Sequence, residues 1–280
     1  MVSPDSGELY VVATPIGNLG DLTLRALEAL KRADVIAAED TRTSSALLRH
    51  YGISARLVAL HQHNETSKSE FLIGLLAEGK TVALVTDAGT PGISDPGGIL
   101  AVKAREAGFP VIPFPGACAA IAALSVSGLA EHGFLFQGFL PAKPSSRRKA
   151  LEALKTIPFT LVFYEAPHRV LECVTDIASV LGDSRRLLLA REITKLHEEF
   201  HACASGEAAA WVESRQRGEF VLVVEGAHEE KPQGISDEAK RILAILMPLM
   251  PLSQAARAAA EITGEKRGDL YEFALQSDRL

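Results

Sequence analysis

The stretch TVALVTDAGTPGISDPGG, from Thr81 to Gly98, decides the fold class of this chain. It starts as a run of aliphatic and β-branched residues, which is typical of a buried strand. It then continues through four glycines and two prolines, with little that could pack in a core. Irregular polar backbone of this kind is found where the carboxyl ends of parallel strands bind a ligand. We therefore predict a parallel strand followed by a ligand-binding loop.

Strand-like runs alternate with helix-length amphipathic segments on both sides of this stretch. The runs ELYVVA and DVIAAED precede it and PVIPF follows it. This β-α-β-α rhythm predicts a mostly parallel sheet with helices on both faces. Asp21 is expected to cap the first helix, in which Leu22, Leu24, Leu27 and Leu30 would form one apolar face.

A second series of strands and helices begins at FLFQGFL and closes with EFVLVVEG. A charged segment containing Pro and Gly follows, and then short helices that resemble a helix-turn-helix and are expected to bury little surface of their own. We predict an α/β protein of two αβ domains with a small helical tail. The expected boundaries are a flexible N-terminus at 1–7, an N-terminal αβ domain at 8–118, a C-terminal αβ domain at 119–227, a linker at 228–236, and the tail at 237–280.

The composition is that of a globular protein able to bury a core, with 47% apolar and 23% charged residues in 280. The three cysteines stand far apart without a C-x-x-C pair, which argues against a disulfide framework and a zinc site. His61 and His63 lack a third ligand nearby, so no metal is expected. The sequence shows neither a signal-peptide pattern nor an apolar run long enough to cross a bilayer. We expect a cytoplasmic protein without membrane association.

The net charge of −6 does not favour a nucleic-acid partner, but the basic residues are clustered. The clusters lie in the segments KPSSRRK, SRRL and EKRGD. From charge alone, a solvated surface is the favoured interpretation of all three. If RNA is the partner, the candidate contacts are Lys143, Arg147, Arg148, Lys149 and Arg267.

Three glycine-containing loops follow predicted strands: ATPIGNLGD, DAGTPGISDPG and FPGACAA. Neither a G-x-G-x-x-G after the first strand nor a G-x-x-x-x-G-K-[ST] is present, which excludes the usual dinucleotide and P-loop sites. The loops are also poor in Lys and Arg, which indicates a ligand without phosphate. The neighbouring carboxyl groups of Asp21, Asp87 and Asp95 suit hydroxyl groups, an amine or a cationic centre.

Six blocks of the chain resemble, in order, the ribosomal RNA small subunit methyltransferase I family of the tetrapyrrole methylase superfamily. The resemblance covers about residues 8 to 226, and the tail is similar to the C-terminal helix-turn-helix of that family. The blocks are LYVVATPIGNLGDLTLRALEALKRADVIAAEDTR, LVTDAGTPGISDPG, PFPGACAAIAALSVSGL, FQGFLPAKPSSRRKAL, FYEAPHRV and AREITKLHEEF.

The resemblance implies a kidney-shaped pair of αβ domains with S-adenosylmethionine in the cleft between them, and a homodimer. It also implies methylation of the ribose 2′-hydroxyl of a decoding-centre cytidine in 16S rRNA, in an assembled 30S subunit. Corrin-ring methylases carry GDP in the central loop, where this chain has Gly89-Thr90-Pro91. That departure weakens the alternative of a tetrapyrrole methylase. A non-catalytic ribosome assembly factor remains a further alternative.

Matching the blocks assigns the cofactor to the loops after the strands of both halves. The residues so assigned are Pro15, Gly17, Asp87, Ala88, Gly89, Thr90, Ile93, Ser94, Cys118, Ala119, Phe163, Tyr164 and Glu192.

Methyl transfer from a sulfonium to an oxygen mainly requires that the reacting atoms be held in line. A general base would assist, and the polar clusters AEDTR, YEAPHR and REITKLHEE follow predicted strands. Structural explanations are also open: an ion pair for Glu39 and Arg42, and packing or helix capping for His168. The position of the clusters at strand ends, at the same crevice as the glycine-containing loops, favours a role in the site. The sequence alone does not choose the base, and a reaction without a general base stays open. The candidates are Asp40, Arg42, Glu165, His168 and Lys195.

Overall fold

The computed structural model describes residues 7–131, 133–227 and 235–277, which form two compact units divided after Ala227. Of the N-terminal segment expected at 1–7, only Gly7 lies within the described residues. It is buried, and its N–H donates a hydrogen bond of 3.0 Å to the Leu76 carbonyl. Most of the linker expected at 228–236 also lies outside them.

The first half of the larger unit contains the strands β1 Leu9–Val12, β2 Val35–Ala38, β3 Arg56–Ala59, β4 Val82–Val85 and β5 Val111–Phe114, and the helices α1 Leu24–Arg32, α2 Thr41–His50, α3 Glu65–Ala77 and α4 Gly98–Glu106. The strands form a five-stranded sheet with the order β3-β2-β4-β1-β5, in which every pairing is parallel. Helices α1 and α2 pack on one face and α3 and α4 on the other, each pair over its own apolar core. The predicted parallel sheet with helices on both faces is confirmed.

The start of α1 differs from the prediction. The Thr23 hydroxyl, not the Asp21 carboxylate, accepts the capping hydrogen bond, from the Ala26 N–H at 3.1 Å. Asp21 lies in a preceding 3₁₀ turn, so the helix begins later than expected. This start turns Leu24 outward, where it is 82% exposed, while Leu30 packs in the core.

The second half contains the strands β6 Phe134–Phe139, β7 Thr160–Glu165, β8 Arg186–Arg191, β9 Glu199–Ala204 and β10 Phe220–Val224, and the helices α5 Ala119–Ser127, α6 Pro144–Leu154, α7 Val170–Leu181 and α8 Ala208–Val212. The strands form a mixed sheet with the order β6-β7-β10-β8-β9, parallel only between β6 and β7. Helix α5 packs on one face of this sheet, and α6, α7 and α8 cover the other.

Between residues 235 and 277, the smaller unit consists of three helices, α9 Asp237–Leu246, α10 Leu252–Thr263 and α11 Arg267–Ser277. They enclose a core of their own, in which Leu243 and Leu270 pack among alanines of all three helices. The expectation that the tail buries little surface of its own is therefore wrong. The alanines allow close approach of the helices, so three short helices suffice to form a core.

Within the described ranges, no helix has the length and hydrophobicity needed to cross a membrane. The same ranges hold no group of three or more His, Cys, Asp or Glu side chains suited to a metal ion. The three cysteines are free.

Candidate active site

A cavity of about 440 Å³ lies between the two halves of the larger unit. The loop after β4 and the first turn of α5 form one wall, and the ends of β6, β7 and β10 form the other. Its lining residues are Ile16, Glu39, Thr86, Asp87, Ala88, Gly89, Thr90, Ile93, Ser94, Asp95, Cys118, Ala119, Phe139, Tyr164, Glu165, Ala166, Pro167, Ile193, Glu219, Phe220 and Val221.

Hydrogen bonds join the three glycine-containing loops of the first half. The Thr14 N–H donates to the Gly89 carbonyl at 2.8 Å, and the Gly89 N–H donates to the Thr14 carbonyl at 3.1 Å. The Thr90 hydroxyl donates to the Ala117 carbonyl at 3.1 Å, which ties in the loop after β5. Gly89 adopts a φ of +86°, a conformation that glycine adopts without steric cost. The loops thus form one braced rim of the cavity.

The wall of the first half is acidic. Glu39, Asp87 and Asp95 line it together, and the Thr86 hydroxyl donates to Glu39 at 2.8 Å. Burial raises the pKa of Asp95 to about 6, and the charges of Glu39 and Asp87 act in the same direction. Burial also raises the pKa of Asp87. A cation bound here would relieve the repulsion among the carboxylates, so the wall favours a positively charged ligand.

Tyr164 of β7 is hydrogen-bonded to the start of α5. Its hydroxyl accepts a hydrogen bond from the Ala120 N–H at 3.2 Å, and the Cys118 sulfur lies 3.9 Å from it. Burial is the main cause that raises the pKa of Tyr164, so the phenol remains protonated at neutral pH. The rings of Phe136 and Phe139 lie edge-on to it, with centroids 5.0 and 5.7 Å away.

The turn after β8 is strained and heavily braced. Glu192 and Thr194 adopt φ values of +52° and +67°, which are unusual for residues other than glycine and especially for a β-branched one. The Asn18 N–H donates to the Thr194 hydroxyl at 3.0 Å, and the Thr194 N–H donates to Glu198 at 2.6 Å. Such conformations persist only where the surroundings hold them, and they occur most often at functional sites.

Most of the residues assigned to the cofactor from sequence lie on the cavity wall. Four do not. Phe163 points into the core on the face of β7 opposite to Tyr164, because side chains alternate along a strand. The other three do not line the cavity but are chain neighbours of residues that do: Pro15 and Gly17 flank Ile16, and Glu192 precedes Ile193. The residues that do line the cavity are Asp87, Ala88, Gly89, Thr90, Ile93, Ser94, Cys118, Ala119 and Tyr164.

Among the candidate catalytic residues, only Glu165 lines the cavity, and its buried carboxylate lies 3.2 Å from Arg169. Lys195 is adjacent through a 2.8 Å ion pair with Glu219, a lining residue. His168 is exposed and lies outside the lining.

Asp40 and Arg42 pair with each other at 2.6 Å at the start of α2, outside the cavity lining. The hydrogen bonds from Arg42 lower the pKa of Asp40 to about 2, which makes this carboxylate a poor proton acceptor. The backbone N–H of Asp40 nevertheless donates to the Asp87 carboxylate at 3.0 Å. Asp40 and Arg42 therefore do not face the cavity, but the backbone of Asp40 helps to hold the Asp87 carboxylate in place.

The residues expected at an RNA surface separate into two groups. Lys143, Arg148, Lys149 and Arg267 are exposed. Arg147 is only 1% exposed, with its Nε 2.6 Å from Asp176 and its Nη2 3.1 Å from Glu172. A guanidinium enclosed by carboxylates has no surface to offer a phosphate, and the expectation of an RNA contact at Arg147 is wrong.

Several lining residues were not identified from sequence. Phe220 and Val221 begin β10, and Glu219 directly precedes it. This strand is antiparallel to β7, so its amino end meets the carboxyl end of β7. A search at the carboxyl ends of strands therefore misses them. Phe139 was missed because a bulge in β6 changes the face on which its side chain lies.

The comparisons with known proteins agree with one another. Residues 8–209 match the family described as Tetrapyrrole (Corrin/Porphyrin) Methylases, and residues 233–278 match the RsmI C-terminal HTH domain. The chain is 53% identical over 273 residues to the Ribosomal RNA small subunit methyltransferase I of Escherichia coli O157:H7, covering 96% of this chain and 95% of that protein. The protein of the same name from Pseudomonas aeruginosa is 48% identical, with 97% and 98% covered.

The chain belongs to the ribosomal RNA small subunit methyltransferase I family, within the tetrapyrrole methylases. Among solved structures, it is similar in fold to diphthine synthase, with a TM-score of 0.60 and 16% identity over 79% of this chain and 90% of that one. It is also similar to the uroporphyrin-III C-methyltransferase of Thermus thermophilus in complex with S-adenosylhomocysteine, with a TM-score of 0.57 and 20% identity over 78% and 97%.

As a member of the ribosomal RNA small subunit methyltransferase I family, the chain is an S-adenosylmethionine-dependent methyltransferase. The cavity residues fit this cofactor. The wall offers carboxylates to a sulfonium or an amine, and Ile16, Ile93 and Val221 offer an apolar surface to the adenosine. The volume is within the range of small-molecule sites, about 300–1,000 Å³.

Proposed function

We propose that this enzyme methylates the ribose 2′-hydroxyl of a cytidine in the decoding centre of 16S rRNA, and that its substrate is the assembled 30S subunit. The observation that carries the proposal is similarity over nearly the whole chain, including the C-terminal helices, to proteins named Ribosomal RNA small subunit methyltransferase I. A methylase of small tetrapyrroles has no evident need for those helices.

The cofactor would be held by the braced loops of the first half. The segment from Asp87 to Ser94, with Cys118 and Ala119, would bind its adenosine and amino-acid parts, and Tyr164 would close the cavity from the second half. When bound, S-adenosylmethionine supplies a methyl group activated by the neighbouring sulfonium. Carboxylates of the acidic wall favour that positive charge over the neutral thioether left after transfer.

The role of the protein in the reaction is mainly one of positioning. Holding a hydroxyl in line with the activated methyl group contributes about 7–11 kcal/mol when the alignment is good. A general base adds about 10²- to 10⁴-fold. Glu165 is the candidate base that we retain, because it lines the cavity. The ion pairs of Lys195 with Glu219 and Glu192 outweigh its burial and raise its pKa, so its side chain is protonated and would position these carboxylates rather than accept a proton.

The RNA would contact exposed basic side chains outside the cavity. Lys143, Arg148 and Lys149 lie at or near the start of α6, and Arg267 starts α11. Phosphate contacts of this kind supply affinity without sequence preference. The 2′-hydroxyl itself distinguishes RNA from DNA.

The proposal also covers the oligomeric state of the enzyme and its cellular location. We propose that it acts as a homodimer, as the resemblance to the superfamily implies. A ribosomal subunit as substrate places the reaction in the cytoplasm.

The test is to incubate the purified enzyme with S-adenosylmethionine carrying a labelled methyl group and with 30S subunits that lack the modification. Label at the 2′-oxygen of one decoding-centre cytidine is the expected result. Label on another nucleotide would overturn the target assignment. Transfer to a precorrin but not to 30S subunits would establish the tetrapyrrole alternative. No detectable S-adenosylmethionine binding by calorimetry would leave only a binding role in ribosome assembly.

A further inference from the structure

A bulge in β6 decides the face on which Phe139 lies. Phe136 pairs with Val162 of β7, but the register shifts before Gly138, so that Phe139 pairs with Tyr164 rather than with Glu165. Gly138 has a φ of +70°, which allows the extra residue to be accommodated. Because paired residues of neighbouring strands point to the same side, the bulge turns the Phe139 ring to the cavity side, beside Tyr164.

The Phe139 ring is supported on one side and open on the other. Its centroid lies 5.7 Å from that of Tyr164 at an interplanar angle of 66°, and Tyr164 is itself held by its hydrogen bond to Ala120. The residue lines the cavity and is nevertheless 53% exposed. A phenylalanine held in place at the mouth of a cavity, with half of its surface in water, is suited to stacking against a flat ligand.

The chain continues from Phe139 directly to the basic segment. Lys143 follows four residues later, so the two Cα atoms are at most about 14 Å apart. Lys143 and Lys149 are exposed, while the cavity behind Phe139 is lined by Glu165 and Glu219. This charge distribution repels phosphate from the cavity and attracts it to the outer side of Phe139. An RNA strand would then place its uncharged base and ribose on the aromatic ring and its backbone toward the lysines.

We propose that Phe139 is the platform on which a base of the substrate RNA strand stacks, and that it positions the target nucleotide at the cavity mouth. This assignment rests on the proposed function, because it requires an RNA substrate. Stacking of a base on an aromatic side chain is tolerant of sequence and suits an unpaired nucleotide. Phe139 would therefore contribute to the binding of the RNA rather than of the cofactor.

The test compares Phe139→Ala, Phe139→Leu and Phe139→Tyr with the control Phe134→Ala, in the full-length enzyme. Phe134 is at the other end of β6, is similarly exposed at 43%, and does not line the cavity. The measurements are the KM and kcat for 30S subunits, the Kd for S-adenosylmethionine by calorimetry, and the sedimentation velocity of each variant.

We expect Phe139→Ala to raise the KM for 30S subunits by about 5- to 150-fold, the range of one stacked base. The Kd for S-adenosylmethionine and the sedimentation velocity should stay at the wild-type values. Phe139→Tyr should restore the KM and Phe139→Leu should not, since only the former retains a π face. Phe134→Ala should behave as the wild type.

Four outcomes would overturn the assignment while leaving the proposed function intact. A KM for 30S subunits within twofold of wild type in Phe139→Ala, or full rescue by Leu, would show that no base stacks there. A loss confined to S-adenosylmethionine affinity would assign the ring to the adenine of the cofactor. A changed sedimentation velocity would assign it to contact with a second copy of the chain. Failure of the wild-type enzyme itself to methylate 30S subunits would instead contradict the proposed function.

Discussion

Gly138 of the second sheet lies directly against the side chain of Ser94 in the loop after β4. A Cβ placed on Gly138 would come within 2.8 Å of the Ser94 Oγ, and both residues have positive φ values, +70° and +66°. The contact joins the two walls of the cavity at a point where neither backbone is in a common conformation. Close packing of this kind makes the cavity sensitive to a single methyl group.

We predict that Gly138→Ala lowers the free energy of unfolding by about 1–3 kcal/mol, mainly from the left-handed backbone and to a smaller extent because the Ser94 hydroxyl must turn aside. Urea denaturation measures the loss. Gly52→Ala is the matched control, because Gly52 has a similar φ of +67° but open space where its Cβ would stand, with no described atom beyond its chain neighbours within 4 Å. This control should lose only about 1 kcal/mol, from the backbone alone.

A double variant tests whether the contact itself is responsible. Ser94→Ala removes the oxygen that the new methyl group would meet, so Gly138→Ala should be less damaging in that background. We expect a coupling of at least about 0.5 kcal/mol between the two changes. Strict additivity would show that only the backbone of Gly138 matters.

We predict that Gly89→Ala weakens S-adenosylmethionine binding by about tenfold or more, equivalent to about 1.4 kcal/mol. Gly89 lines the cavity, and a Cβ there would be 3.4 Å from Ile16, another lining residue. Gly92→Ala is the control in the same loop. Gly92 has a similar φ of +81° but lies outside the lining, and its Cβ would meet no described atom within 4 Å apart from its chain neighbours. Equal loss of affinity in both variants would mean that loop rigidity, not contact with the cofactor, sets the affinity.

The sequence predicted the strands and the loop after β4, but not the cavity residues contributed by β6 and by the start of β10. The alternation of strands and helices was predicted because buried strands such as β4 are continuously apolar, and the residues from Asp87 to Ser94 followed from the carboxyl end of that strand. Glu219 and Phe139 could not be found in this way. The position of Glu219 depends on the antiparallel direction of β10, and that of Phe139 depends on the bulge in β6. Both features arise from the pairing of these strands with β7.

Side-chain partners were the least predictable feature. Arg147 and Arg148 are neighbours in one basic run, yet the first is buried between Asp176 and Glu172 and the second is 51% exposed. Their environments depend on the packing of α6 against α7, which brings together residues about 29 positions apart. Charge clustering in the sequence carries no information about that packing.

We predict that the stability contributed by Asp95 is lost as pH rises. The pKa of Asp95 in the folded protein is about 6, above the usual value of 3.8, so the folded state binds this proton more tightly than the unfolded state does. The free energy of unfolding therefore falls between about pH 4 and pH 6. The upper limit of this loss is about 3 kcal/mol, since one pKa unit corresponds to about 1.4 kcal/mol, and solvent screening of this partly exposed carboxyl group lowers it further.

The measurement is urea denaturation of the wild type and of Asp95→Asn across that pH range. The difference between them should grow as pH rises from 4 to 6, with Asn the more stable at pH 7. Asp21→Asn is the control, because Asp21 is exposed and outside the cavity. A pH dependence that is the same in wild type and Asp95→Asn would contradict the raised pKa.

We predict that Arg147→Ala lowers the free energy of unfolding by about 3–5 kcal/mol, since it leaves Asp176 buried without its main partner. Arg148→Ala should cost less than about 1 kcal/mol, because its ion pair with Asp176 is half exposed. Urea denaturation of the two single variants distinguishes them. Similar losses would mean that the guanidinium of Arg147 is not the principal partner of Asp176.

We predict that the C-terminal helices serve the binding of the RNA substrate and not that of the cofactor. Because α9, α10 and α11 enclose their own core, deleting residues 230–280 should leave the larger unit folded, with an unchanged Kd for S-adenosylmethionine. Methylation of 30S subunits should nevertheless fall strongly, since the residues matching the RsmI C-terminal HTH domain are removed.

A full-length variant tests whether the helices must be folded, and not only present in the chain, for activity on 30S subunits. Leu270 is fully buried in the core of the smaller unit, so Leu270→Asp should unfold that unit and reproduce the activity loss of the deletion. Lys266→Ala with Arg267→Ala leaves the core intact and tests the charges at the start of α11 alone. If the truncated enzyme methylates 30S subunits at the wild-type rate, the helices have no part in substrate binding. If it has lost S-adenosylmethionine binding or become insoluble, they stabilise the larger unit instead.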